Sequence, residues 1–269
     1  MRHHRWALAI TIAATLVAGI ATHSAGRAAP APPIAVIGDS LTAGNLTSIR
    51  ADFTAVGLGS AAFDAMSGRN ITLSITYSWG FVPSGVAAAN GFQARGIDPP
   101  VWMVQLGANN LSMIANCNCD RAAFARGLIE QMLDAIGRRT VAWVNVRASV
   151  RTDIVDVFNQ ALRDVAVTRP ELFVIDWHAY SDGKAWFADD VHPNVDGARA
   201  LGRCMAASAA WLVNRPAAPT TSSTTSSTTS SVPTKLDVVA GRASAHAPAE
   251  RLGIAVRPPD SLPSCESLA

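Results

Sequence analysis

The sequence predicts a three-layer α/β/α domain around a parallel sheet of about five strands, on three observations. Short apolar runs alternate with longer runs whose apolar residues recur at helical spacing, the order expected when each strand is followed by a crossover helix. The short runs are mostly apolar rather than apolar at every second residue, as in strands buried on both faces. Charged residues are only 16% of the chain, against roughly 25% in an average domain, so much of the chain is suited to burial.

Four strands follow from the apolar runs: Ile34–Ile37, Val101–Leu106, Thr140–Val146 and Leu172–Asp176. A weaker fifth, near Ala61–Ala65, is expected between the first two. Arg121–Ile136 carries Phe124, Leu128, Met132, Leu133 and Ile136 at helical spacing, Ile154–Val167 does the same, and Val195–Val213 makes the last helix. Together these elements occupy residues 34–215, an ordinary domain length.

Both flanks have a different composition. Met1–Arg5 is basic, Trp6–Ala21 is apolar, and Gly26-Arg27-Ala28 offers the small residues a signal peptidase prefers. Residues 1–28 therefore read as a secretory signal peptide, with a retained N-terminal anchor as the alternative. The apolar run is shorter than the roughly 20 residues of a spanning helix, and no later segment is apolar enough to cross a membrane, so no stable membrane insertion is expected after cleavage. At the other end, Thr220–Ser231 is three copies of Thr-Thr-Ser-Ser flanked by Pro216, Pro219 and Pro233, too polar to bury a core. Residues 216–235 read as a linker and 236–269 as a disordered tail, with a tether through Cys265 as an option.

The formal net charge is +2, but the excess sits in Arg2, Arg5 and Arg27. Between Ile34 and Arg215, 14 Arg and one Lys face 14 Asp and two Glu, a net of −1. No basic stripe remains for nucleic acid. Export would allow Cys117, Cys119, Cys204 and Cys265 to form disulfides of undetermined pairing. A zinc site is disfavoured, because the gap in Cys117-Asn118-Cys119 is too short for the usual ligand spacing and no His lies near. No metal or cofactor is expected, and the protein is expected to be a monomer in the extracytoplasmic space, free or wall-associated.

In an open parallel sheet, ligands bind beyond the carboxyl ends of the strands. After the first strand comes Gly38-Asp39-Ser40-Leu41-Thr42-Ala43-Gly44, where glycines on both sides of a serine suit a tight turn that exposes the hydroxyl. Alone, this would equally be an ordinary turn with a capping serine. A serine needs a base to become a nucleophile, and Asp189-Asp190-Val191-His192-Pro193, between the last strand and the last helix, offers His192. Asp189 can reach the imidazole from three residues upstream, with Asp190 the second choice. His178 lacks such a setting and reads as structural. Donors for a developing oxyanion are the Ser40 N–H, the Gly68 N–H after the weak strand, and the side-chain amide of Asn109 in Gly107-Ala108-Asn109-Asn110. Gly57 and Gly59 are alternatives to Gly68.

Taken in order, Gly38-Asp39-Ser40-Leu41, Gly68, Gly107-Ala108-Asn109 and Asp189-x-x-His192 resemble the four blocks of the SGNH (GDSL) hydrolase superfamily over essentially the whole domain. The resemblance implies a flavodoxin-like sheet, esterase or acyl-transfer chemistry without metal, and Ser40, Gly68, Asn109 and His192 as the namesake residues. The third block departs from the family's Gly-x-Asn-Asp pattern, with Asn110 in place of the Asp. Val141–Val146, Val174–Trp177 and Trp186–Asp189 are similar to extracytoplasmic SGNH domains attached to membrane acyltransferases that O-acetylate cell-wall glycans. Expected partners are thus an ester-bearing small molecule or an acetylated glycan. Long-chain lipids are a further possibility if Trp79-Gly80-Phe81 is exposed, and Trp186 and Phe187 are candidates to line a pocket. A non-catalytic glycan-binding module is the alternative from another class.

Overall fold

The computed structural model describes residues 31–215 and 262–268. Its sheet is built from β1 (Ile34–Gly38), β2 (Ala62–Ala65), β5 (Val101–Gln105), β6 (Thr140–Val144) and β7 (Leu172–Ile175). They lie in the order β2-β1-β5-β6-β7, all parallel. Among the five sheet strands taken in chain order this is 2-1-3-4-5, the flavodoxin-like arrangement, whose order reverses between β1 and β5. Every residue of β1 and β5 is buried, which is why both read as apolar runs, with Gln105 the one polar residue of β5. The weak strand sits between these two in the chain but at the edge in the sheet. It pairs only with β1 and is half-buried along its length.

The side-chain alternation of the strands separates two cores. Ala35, Ile37, Trp102, Val104, Val141 and Trp143 pack against α3 (Gly85–Ala94), α4 (Leu111–Asn116), α5 (Arg121–Ile136) and α6 (Thr152–Thr168). Ile34, Val36, Met103, Ala142, Val144 and Ile175 face α1 (Ser40–Ala43), α2 (Leu46–Ala55), α7 (Trp177–Ser181) and α8 (Val195–Asn214). The three long helices thus lie within a few residues of their expected spans. Asp120 caps α5 by accepting from the N–H groups of Ala122 and Ala123, and Asn194 caps α8 likewise at Asp196 and Gly197. Trp102 and Trp143 are fully buried, and the indole N–H of Trp143 donates to the Leu106 carbonyl at 2.9 Å.

Three elements have weak sequence signals. Helices α2 and α3 are short, and α3 is made largely of Ala and Gly. The antiparallel hairpin of β3 (Ile75–Tyr77) and β4 (Gly80–Val82) is outside the main sheet. It grows out of the loop after β2, and that loop is held by Arg69, which is completely buried. The guanidinium of Arg69 donates to the Asp64 carboxylate at 2.6 Å, to the Asp64 carbonyl at 2.6 Å, to the Gly38 carbonyl at 3.4 Å and to the Pro83 carbonyl at 3.1 Å. One side chain therefore joins the end of β1, the edge strand and the foot of the hairpin.

Two disulfides are present, Cys117–Cys119 and Cys204–Cys265. The second fastens α9 (Cys265–Leu268) to α8. The expected disorder of 236–269 therefore does not extend to residues 262–268, whose Leu262 and Cys265 join the core under α8. The expected signal peptide (1–28), the linker (216–235) and tail residues 236–261 lie outside the described residues. Among the described residues no helix is long and apolar enough to cross a membrane.

Removing one partner of a buried ion pair strands the other charge, at a cost of about 3 kcal/mol or more. Asp64→Asn, which strands the completely buried Arg69 charge, is expected to lower unfolding stability by about that amount in urea titration. Asp64→Asn combined with Arg69→Met should cost clearly less than the sum of the single variants, the mark of a coupled pair.

Candidate active site

Ser40 opens α1 immediately after β1. Asp39 caps this helix, its Oδ1 accepting from the Leu41 N–H at 3.0 Å, and its own N–H donates to the Gln105 carbonyl at 3.2 Å. Gln105 also accepts from the Thr42 hydroxyl at 2.9 Å. The turn is tight because Thr42 folds back over Gly38, where any Cβ would overlap its side chain. Gly44, by contrast, has an ordinary φ of −66°, so the turn needs a glycine on only one side of the serine.

His192 and Asp189 share a short loop closed on itself. The Ala188 N–H donates to the His192 carbonyl at 2.9 Å, and the Asn194 N–H donates to the Trp186 carbonyl at 2.8 Å. Within it, Asp189 Oδ1 accepts from the N–H groups of Val191 at 2.8 Å and His192 at 2.6 Å. Its Oδ2 is left for His192 Nδ1 at 2.9 Å. The backbone N–H groups of His192 and Val191, and then the imidazole, hold the Asp189 carboxyl down at about 2. Across the cleft, His192 Nε2 lies 2.9 Å from Ser40 Oγ. An ionised Asp189 only accepts, so Nδ1 carries the ring proton and the Nε2 lone pair faces the serine hydroxyl. The carboxylate, imidazole and hydroxyl form one chain on an open edge, with the His192 and Asp189 side chains 49% and 58% exposed.

Asp190, the second choice for the carboxylate, faces away. It accepts from the Ser149 hydroxyl at 2.6 Å, and its carbonyl takes the Ser149 N–H at 2.9 Å. Arg147 donates to the same carbonyl at 3.4 Å, its guanidinium 3.5 Å above the Phe187 ring. These contacts anchor the histidine loop to the chain after β6. The His178 ring binds the Val146 carbonyl at 3.1 Å and lies outside the Ser40 chain. Trp186 and Phe187 pack against Trp177, and Trp186 also against Tyr180.

Gly68 lies beyond the carboxyl end of β2, whereas Gly57 and Gly59 precede that strand and so fall at the opposite edge. With φ +77°, Gly68 occupies a region that side chains rarely adopt, and a Cβ there would press on the Tyr77 ring at 3.0 Å. Asn109 follows β5 in a 3-10 turn (Ala108–Asn110). Its amide donates to the Arg69 carbonyl at 3.2 Å and only grazes Asp39 Oδ2 at 3.5 Å. Both amide hydrogens thus have acceptors, and the longer bond to Asp39 is the one a ligand oxygen would displace. Ser40 and Asn109 flank the β1/β5 reversal, where such sheets bind ligands.

Residues to which the sequence assigns no role complete the arrangement. The buried Asn110 accepts from the Ile71 N–H at 3.1 Å, so an amide oxygen here does a task open to the family's carboxylate. The completely buried Asp39 has its carboxyl pushed up to about 6 by desolvation, against the lowering pull of the Leu41 N–H, Gln105, His192 and Arg69. Arg69 could be suspected only from Asp64, a lone charge in an otherwise apolar strand. Among the described residues no group of three or more His, Cys, Asp or Glu side chains is placed to hold a metal ion.

The fold has relatives of known structure. No curated protein matches the chain by sequence. Among solved structures it is similar to the lipase/acylhydrolase from Enterococcus faecalis, with 21% identity, 64% of this chain and 92% of that one covered, and a TM-score of 0.51. It is also similar to a carbohydrate esterase family 3 protein from Talaromyces cellulolyticus, with 18% identity, coverage of 67% and 97%, and a TM-score of 0.51. The C-terminal catalytic domain of peptidoglycan O-acetyltransferase A from Streptococcus pneumoniae aligns at 15% identity over 65% of this chain and 91% of that one, with a TM-score of 0.49. These likenesses are of fold. A sequence model of the GDSL-like lipase/acylhydrolase family matches residues 36–200, more than half of the chain and every block around the Ser40 cleft: the chain belongs to the GDSL-like lipase/acylhydrolase family.

Proposed function

We propose that residues 34–215 form a secreted, monomeric serine esterase that cleaves carboxylic esters, acetyl esters foremost, through an acyl-enzyme. The observation that carries this reading is the unbroken hydrogen-bond chain from Ser40 Oγ through His192 to Asp189. His192 Nε2 takes the hydroxyl proton as Ser40 Oγ attacks the acyl carbon. Asp189 keeps the imidazole oriented and stabilises its cation. The Ser40 and Gly68 N–H groups and the Asn109 amide, giving up its long bond to Asp39, receive the oxyanion. His192 then protonates the departing alcohol, and water repeats the sequence on the acyl-enzyme. Both disulfides fit an oxidising, extracytoplasmic address.

A second reading has a sugar hydroxyl, rather than water, accept the acyl group. Its support is the similarity of Val141–Val146, Val174–Trp177 and Trp186–Asp189 to the domains of glycan O-acyltransferases. The residues at the reacting centre are the same in both readings. Comparing free acetate with acetylated product when a sugar acceptor is supplied separates them.

Ser40→Ala is expected to lower hydrolysis of p-nitrophenyl acetate at least about a thousandfold with an unchanged thermal transition. Turnover of that variant at the wild-type rate would overturn the proposal. Asp189→Asn should lower kcat by roughly a hundred- to ten-thousandfold, since the amide can present its N–H to the ring and favour the wrong tautomer.

Asp39 sets a separate pH dependence. Its carboxyl titrates near 6 in the fold and near 4 when unfolded, so the folded state holds the proton more tightly. The associated stabilisation is complete below about pH 4 and disappears as pH rises through 6. Asp39→Asn keeps an acceptor for the Leu41 N–H but does not ionise. Between pH 4 and 7 its unfolding free energy should therefore gain on the wild type by about 2 kcal/mol in urea titrations, from ~1.4 kcal/mol per pH unit.

A further inference from the structure

The β3–β4 hairpin presents an aromatic plane beside the site. The Tyr77 hydroxyl donates to the Gly68 carbonyl at 2.9 Å, and the edge of its ring lies against the Gly68 Cα. Trp79 stacks on Tyr77 with centroids 4.3 Å and planes 7° apart. Yet Trp79 is 67% exposed and Phe81 61%, although side chains of this size usually find cover. The turn around them is open, since a Cβ at Gly80 would meet nothing within 4 Å. Thr76, paired across the strands with Phe81, and Ser78, next to Trp79, are also exposed.

We propose that the outer face of Trp79 is a binding platform for a pyranose ring of the ester substrate, so that the alcohol portion is a neutral glycan. The inference rests on the serine-esterase reading of Ser40. A pyranose has a C–H face that packs on a flat aromatic surface and a rim of hydroxyls. Trp79 supplies the flat surface, its other face being covered by Tyr77. The segment Ile71–Val82 contains no charged residue, so it offers nothing to a phosphate headgroup, which lipid-docking segments recruit with Lys and Arg. The platform is tied to the chemistry through Tyr77 and Gly68. The Met66 N–H and Arg69 bind the Gly38 carbonyl at 3.2 and 3.4 Å, which places the foot of the hairpin on the strand end that carries Ser40.

The test compares wild type, Trp79→Ala and Trp79→Phe on p-nitrophenyl acetate and on an acetylated β-1,4-xylo-oligosaccharide. Trp79→Ala should raise KM for the oligosaccharide about fivefold or more, and its loss of kcat/KM on that substrate should exceed its loss on p-nitrophenyl acetate. Trp79→Phe should retain much of the difference. Binding is read without turnover in the Ser40→Ala protein, whose tryptophan fluorescence should respond to the same oligosaccharide, with the response lost when Trp79→Ala is added. Absence of that response, or a response independent of Trp79, overturns the platform even if ester hydrolysis is intact. Trp79-dependent sedimentation with phosphatidylcholine/phosphatidylglycerol vesicles, without oligosaccharide binding, also overturns it in favour of a lipid surface. If the wild type hydrolyses neither ester, the esterase reading fails while the fluorescence experiment still decides the platform.

Discussion

The buried guanidinium of Arg69 is the constraint on which the candidate site depends. A charge placed there without partners would not be tolerated, so its acceptors must be held where it can reach them: the Asp64 side chain and carbonyl, and the carbonyls of Gly38 and Pro83. Those acceptors belong to the serine strand, the edge strand and the hairpin foot. The Arg69 carbonyl in turn takes the Asn109 amide. The groups that would receive an oxyanion are therefore positioned by a charge that has no need to touch the substrate.

Around this point the molecule is sharply divided. Both faces of the sheet are apolar and closed by helices, while the polar side chains that need partners collect at the carboxyl edge. The two carboxylates nearest Ser40 and His192 are driven in opposite directions by that division. Asp39 is beneath the edge, where desolvation raises it, and Asp189 is above it, where backbone donors lower it. One edge thus holds an acid that ionises only as pH rises through about 6 and another that stays ionised down to about 2.

How much of this was readable in the amino-acid string depends on where the partners of each residue lie. β1, β5, β6 and β7 were legible because burial on two sides leaves a mostly apolar run. β2 was faint because it is only half-buried along its length, unlike β7 at the other edge, and the hairpin was missed because each strand has only three residues. Ser40, Asn109, Asp189 and His192 could be named because each follows a legible strand or precedes a legible helix by a few residues. Asn110 showed only as a departure from the Gly-x-Asn-Asp pattern, and Arg69 and Gln105 were not legible. Their roles come from partners distant in the chain, as with Asn110 and Ile71, 39 residues apart.

The bond between Cys204 and Cys265 joins residues 61 positions apart, and loop-closure entropy alone assigns such a link about 4 kcal/mol of stabilisation. It also makes the intervening chain a covalent ring that starts and ends under α8. A single proteolytic cut anywhere between these cysteines would open the ring without releasing a fragment. A nicked molecule would keep its full mass until reduced, and only then separate into two pieces.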